Sequence, residues 1–196
     1  MENNQLWDAA RNGDAHFLLD YLNQGGDINV KYSHSGSSLL DFAAGFGRLE
    51  FAAILLERGA DIEKRNYEGN TPLLSACENG HVNVLSFLLD KKAKLQVTTK
   101  YASTPLMLAA QSGHINMCAV LLNLQVDIND IDVKGRSALT IAIDMDYPDI
   151  AELLLSYGAD LNDRRSGKLP REYVKSVAMI KLLSKYEDLY FSTELV

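Results

Sequence analysis

The stretch Gly69-Asn70-Thr71-Pro72-Leu73-Leu74-Ser75-Ala76-Cys77-Glu78-Asn79-Gly80-His81-Val82-Asn83-Val84-Leu85-Ser86-Phe87-Leu88-Leu89-Asp90 decides the fold. Thr71 is placed to cap a helix by accepting a bond from an otherwise unpaired backbone N–H. Pro72 takes the first helical position, where a missing N–H costs nothing. Leu73, Ala76 and Cys77 follow at the i, i+3, i+4 spacing of one buried stripe. Asn79-Gly80 ends the helix, because glycine tolerates the left-handed conformation that turns the chain. Val82, Leu85, Leu88 and Leu89 then begin a second apolar series. The spacing predicts a short helix, a tight turn, and a second helix laid back on the first.

The pattern recurs every 33 residues. The glycine before the cap stands at Gly36, Gly69 and Gly135, with Ala102 in the remaining place. The turn glycine recurs at Gly47, Gly80 and Gly113, and a third register runs through Gly59 and Gly158. Thr71-Pro72-Leu73-Leu74-Ser75-Ala76 and Thr104-Pro105-Leu106-Met107-Leu108-Ala109 are similar to the T-P-L-H-x-A element of ankyrin repeats. Looser copies begin at Ser38 and Ser137. Gly80-His81 and Gly113-His114 match the opening of the second helix, and Leu55 to Asp61 and Leu154 to Asp160 the L-L-x-x-G-A-D ending. The chain resembles an ankyrin-repeat protein over nearly its whole length.

The resemblance implies an all-α solenoid of helix-turn-helix units with projecting hairpin arms, as one domain over residues 1–188. Its expected parts are an N-terminal cap at 1–31, repeats at 32–64, 65–97, 98–130 and 131–162, and a C-terminal cap at 163–188. Residues 189–196 form a tail. In the first unit Leu6, Ala9 and Ala10 should face inward, while Glu2, Asn3, Asn4, Arg11, Asp14 and Asp20 give the polar outside of a cap. Trp7 is expected to pack beneath that cap.

Three departures stand out. Lys92 and Gln125 occupy the place of Gly59 and Gly158, and Ala102 that of the hairpin glycine. Each must adopt a left-handed conformation at a cost of about 1 kcal/mol, so the Lys92–Ala102 arm should be the loosest join. Asp146-Tyr147-Pro148 replaces Gly-His in the fifth unit, so its turn is expected to differ, with Pro148 opening the next helix. The sixth unit has no glycine between Val174 and Val177, so its helices should be shorter or re-angled.

Composition narrows the function. No apolar run approaches the ~18 residues of a membrane span, and the start lacks a secretory signal. The expected location is cytoplasmic, or a host cytosol reached without a classical signal peptide. Cys77 and Cys118 are read as free, buried thiols. The net charge of −7 is banded: residues 1–63 carry −6, 64–126 +3, 127–163 −7 and 164–196 +3. Overall acidity argues against nucleic-acid binding. The bands suit a partner with complementary patches, or a simple solvated surface.

No nucleophile elbow, Cys-x-x-Cys or His-Glu-x-x-His occurs. Asp127, Asp130 and Asp132 lack the spacing of a calcium loop. Catalysis, metal binding and a cofactor are therefore not expected. The resemblance places a partner protein on the hairpin tips and the exposed side of the first helices. Carried onto this chain, the tips are Tyr32, His34 and Ser35; Arg65, Tyr67 and Glu68; Thr98, Lys100 and Tyr101; Ile131, Val133 and Lys134; and Asp163, Arg164 and Arg165. The helix positions are Phe42, Phe46, Glu78, Asn79, Leu108, Gln111, Ser112, Asp144 and Met145. Tyr32, Tyr67 and Tyr101 are read as a ladder with Phe46 near one end. The expectation is a monomeric, non-enzymatic interaction module, a stoichiometric inhibitor or a bacterial effector. The alternative is the targeting module of a larger enzyme.

Overall fold

A computed structural model describes residues 4–193, with side chains over 5–187. Glu2, Asn3, the Asn4 side chain, the side chains of Tyr190 and Phe191, and the ending Glu194-Leu195-Val196 lie outside the described residues. The chain divides between Tyr101 and Ala102 into two compact units. The first contains α1 (Asn4–Asn12), α2 (Ala15–Asn23), α3 (Leu39–Gly45), α4 (Leu49–Glu57), α5 (Pro72–Glu78) and α6 (Val82–Asp90). The second contains α7 (Pro105–Gln111), α8 (Ile115–Asn123), α9 (Ala138–Asp144), α10 (Pro148–Ser156), a 3-10 turn at Pro170–Tyr173, and α11 (Val177–Thr193). Among the described residues there is no strand, only an isolated bridge between Lys31 and Ser38.

Each short first helix is set by its cap. Ser38 Oγ accepts the Asp41 N–H at 3.1 Å, and Thr71 Oγ1 that of Leu74 at 3.4 Å. Thr104 and Ser137 do the same for Met107 and Thr140. In the first unit α1 packs on α3 and α3 on α5, while α2, α4 and α6 form a second row. In the second unit α7 packs on α9 and α9 on the 3-10 turn, with α8, α10 and α11 alongside. The predicted stripe is buried: Leu73, Ala76 and Cys77 have at most 1% of their surface exposed, and Leu74 beside them has none. Trp7 packs beneath the first unit's end at 6% exposure. Cys77 and Cys118 are buried and not joined in a disulfide, and burial pushes the Cys118 thiol up to about 12.

Lys92, Ala102 and Gln125 all have positive φ, at 70°, 59° and 59°. The chain thus imposes a glycine conformation on residues with a Cβ. Asp146 corrects one expectation. Its φ is 58°, its N–H donates to Ile143 O, and Tyr147 N–H donates to Ala142 O at 2.9 Å. Gly80 and His81 make the same two bonds to Cys77 O and Ala76 O, so the turn is preserved rather than changed. Aspartate is among the few residues whose short polar side chain tolerates this region.

The last unit follows expectation only in part. Its first helix shrinks to the 3-10 turn, closed by extended Val174. Its second is not shorter: α11 spans 17 residues and carries the backbone of 189–193 as helix.

The arms are joined by a recurring side-chain link. Asn29 Oδ1 accepts the Asp61 N–H at 2.9 Å, and Glu63 Oε1 that of Lys94 at 2.8 Å. In the second unit Asn129 Oδ1 accepts the Asp160 N–H at 3.0 Å. Backbone bonds add to this in the first unit, where Tyr67 N–H reaches Ser35 O and Lys100 N–H reaches Glu68 O. A Cβ on Gly69 would lie 2.7 Å from the Lys100 nitrogen, so the close approach of the two arms requires glycine there.

Candidate interaction surface

The first unit carries an aromatic cluster at its arm-and-helix face. Trp7 lies 5.1 Å from Tyr32 and 5.0 Å from Phe42, ring centre to ring centre. Tyr32 touches His34 at 5.1 Å, and Phe42 touches Phe46 at 6.0 Å. The Arg11 guanidinium carbon stands 5.2 Å over the Phe46 ring. Phe46 is 40% exposed, while Tyr32 and Phe42 are half-buried.

This arrangement overturns the tyrosine ladder. The three residues sit in three different registers of the repeat: Tyr32 aligns with Arg65, Tyr67 with His34, and Tyr101 with Glu68. Tyr32 turns toward Trp7, whereas Tyr67 and Tyr101 remain 58% and 50% exposed. Tyr67 lies over Gly36, where a Cβ would come 2.5 Å from its ring. Lys100 Nζ stands 5.0 Å over the Tyr101 ring.

Several charged tip residues are engaged within their own unit. Arg65 Nη1 donates to Gly69 O and Thr98 O, both at 2.7 Å, stitching two arms. Glu68 and Lys100 pair at 2.9 Å, which lowers the Glu68 pKa and raises that of Lys100. In the second unit Arg165 bonds Asp163 at 2.9 Å and donates to Asn129 O at 2.6 Å. Asp132 is held by Arg136 at 2.7 Å and by the Lys134 N–H at 2.8 Å. Its carboxylate thereby serves the arm. Hydrogen bonds from Arg165 hold the Asp163 pKa below the ordinary carboxylate range, and those from Arg136 and Lys134 do so for Asp132 against burial.

Val133 is 64% exposed and Met145 40%; Lys134, Gln111, Ser112 and Arg164 are also exposed. Asp144 is half-buried and pairs with Lys175 at 2.9 Å. Leu108 is a correction. It is 7% exposed, and Ser75 and Ile141 at the matching positions of α5 and α9 are buried too, at 8% and 1%.

Between α3 and α5 the first unit opens a depression of about 370 Å³. Phe42 and Phe46 line one side, Asn79 and half-buried Glu78 another, and Asp41 the floor. Asp41 is 4% exposed and accepts hydrogen bonds from the Ser75 hydroxyl, from Asn66 Nδ2 at 3.1 Å, and from Ser37. Burial nonetheless pushes its pKa up. Glu78 is shifted up as well, by burial and then by the charge of Asp41. Asn70, 8% exposed, donates from Nδ2 to Glu78 at 3.2 Å, and its Oδ1 finds no donor.

Asp41, Ser75 and Asn70 are not among the residues that the sequence points to for binding. The available signal is an acid at position 41, where the neighbouring repeats place Leu74 and Met107. Among the described residues no group of histidine, cysteine and acidic side chains could hold a metal ion, and no helix is long and apolar enough to cross a membrane.

The family described as "Ankyrin repeats (3 copies)" matches residues 6–99 and 94–165. The chain is 45% identical over 78 residues to the E3 ubiquitin-protein ligase XBAT33 of Arabidopsis thaliana, covering 37% of this chain and 14% of that protein. It is 38% identical over 64 residues to the potassium channel AKT1 of Oryza sativa subsp. indica, covering 33% and 7%. It is 38% identical over 68 residues to the human Ankyrin repeat and KH domain-containing protein 1, covering 34% and 3%. The matched stretch thus spans only a small fraction of each relative's length. With a match from Leu6 to Arg165, the chain belongs to the ankyrin-repeat family.

Proposed function

We propose that this chain is a non-enzymatic protein-interaction module that binds a partner protein through its arm tips and the open side of its first helices. The observation that supports it is the exposure of Phe46, Tyr67 and Tyr101 in the first unit, where the arms are stitched by backbone and Arg65 bonds. Aromatic side chains held in place lose little freedom on binding and concentrate interface energy. In the second unit Val133, Lys134, Gln111, Ser112, Met145 and Arg164 offer a further surface of the same kind.

A free-standing module of this type acts by occupancy, as an inhibitor or as an effector in a host cytosol. A monomer in the cytoplasm is the state that suits such a role. The second reading, a targeting module of a larger enzyme, draws on the similarity to the repeat stretch of proteins described as E3 ubiquitin-protein ligases. The test is capture of a partner from cytosol, its purification, and a binding titration with native chain and with Tyr67→Ala/Tyr101→Ala. Stoichiometric binding that the double variant weakens supports the reading; an unchanged affinity defeats the assigned surface.

A further inference from the structure

Resting on the interaction reading, we propose that the depression between α3 and α5 receives one arginine side chain of the partner, its guanidinium bonding Asn70 Oδ1 and Glu78 and its stem packing on Phe42 and Phe46. Four features of the site point to that chemistry. Asn70 is only 8% exposed and its Oδ1 accepts from nothing, although buried oxygens of this kind are normally satisfied. The missing partner is a donor. Asp41 and Glu78 place two carboxylates at the same site, and among the described residues neither is paired with a cation; the donors to Asp41 are neutral hydroxyls and an amide. Burial, and then the charge of Asp41, raise the pKa of Glu78, so a cation placed against it would relieve both.

The aromatic side has a guanidinium against it already. Arg11, which lines the same depression, stands 5.2 Å over Phe46, so this aromatic wall suits a flat cation. A guanidinium presents several N–H donors in one plane, enough to meet Asn70 Oδ1 and the Glu78 carboxylate together. A lysine ammonium offers a point charge without that planar fork.

Gly45 supplies the fourth feature. It lies in α3, and a Cβ there would meet Asn79 at 3.7 Å and Ser75 at 3.8 Å, ordinary contact distances. Alanine would therefore fit and strengthen the helix. Glycine instead leaves the depression open.

The test titrates N-acetyl-L-arginine amide into the intact, nitrogen-15-labelled chain and follows the side-chain amide signals of Asn70 and Asn79. Saturable shifts with half-saturation in the millimolar range are expected, as befits one residue of a longer ligand. N-acetyl-L-citrulline amide, equal in shape but uncharged, should give none, and N-acetyl-L-lysine amide weaker binding. Glu78→Gln should weaken the arginine probe about tenfold. Gly45→Ala should raise the melting temperature while weakening the probe, which keeps the test decisive if Glu78→Gln fails to fold. Absence of saturable shifts, equal response to citrulline, preference for lysine, or shifts confined elsewhere would each overturn the assignment. Because the probe engages only the depression, its failure leaves the partner titration with Tyr67 and Tyr101 standing as an independent measurement.

Discussion

Glu63 Oε1 accepts the backbone N–H of Lys94 at 2.8 Å, the same link that Asn129 Oδ1 makes to Asp160 at 3.0 Å. Two different side chains thus perform one task, holding the start of the next arm. Glu63→Ala and Asn129→Ala should each cost about 1 kcal/mol, the worth of a hydrogen bond to an otherwise unpaired amide. Asn129→Asp, which keeps an acceptor, should lose less. Urea unfolding of the three variants measures this, and an Asn129→Ala curve superposable on the native one would show the link to be idle.

The pH dependence should have two opposite limbs. Asp41 and Glu78 have raised folded pKa values, so the folded state binds their protons more tightly than the unfolded one. Their contribution to stability is therefore greatest at low pH and is lost as pH rises from about 4 through the raised values. Asp132 and Asp163 have lowered values. Their contribution is present above about 4 and disappears as pH falls through the folded pKa. Asp41→Asn should flatten the upper limb while sparing the acid limb. Thermal melts of both proteins from weakly acidic to neutral pH decide the matter; parallel curves would remove Asp41 as the source.

Positive φ at Lys92, Ala102 and Gln125 makes glycine the better residue at each. Lys92→Gly and Gln125→Gly should each stabilise by up to about 1 kcal/mol, the relief of left-handed strain less the added freedom of the unfolded chain. Amide exchange should be faster from Lys92 to Ala102 than from Gly59 to Gly69, and Lys92→Gly should slow it. Equal exchange in the two arms would show that the inter-arm bonds, not the helix ends, govern local opening.

What can be read from the sequence is local or periodic. Caps at Ser38, Thr71, Thr104 and Ser137 act within three residues, and the left-handed positions announce themselves by falling where glycine recurs. Asp146 shows the limit of that signal, since a missing glycine there is not a missing conformation. The depression is harder to foresee, because it joins Asp41 from one unit of the repeat to Asn70, Ser75 and Glu78 from the next. Burial of Asp41 depends on that pairing and on three donors far from it in sequence or on the preceding loop. The tyrosine ladder fails for a related reason: the three rings stand in different registers of their arms, and Tyr32 is drawn in by Trp7 and Phe42, which the later arms lack. Leu108 departs from expectation because burial at its register varies from repeat to repeat, from half-buried Phe42 to Ile141 at 1% exposure, which helical spacing within one repeat does not reveal.

Tyr67 and Tyr101 are exposed rings on anchored backbone. Their N–H groups are fixed by Ser35 O at 2.8 Å and Thr99 Oγ1 at 3.1 Å, so truncating the rings leaves the arms tied. Tyr67 also covers Gly36, and its removal uncovers that turn. Tyr67→Ala/Tyr101→Ala should therefore change stability modestly while weakening a cognate complex by about 2 kcal/mol or more. Tyr67→Phe/Tyr101→Phe separates ring from hydroxyl: retained affinity assigns the binding energy to buried aromatic surface, and a loss as large as with alanine assigns it to the phenol groups. Calorimetric titration with the double alanine variant, folded by circular dichroism and unaltered in affinity, would strip these two side chains of any part in recognition.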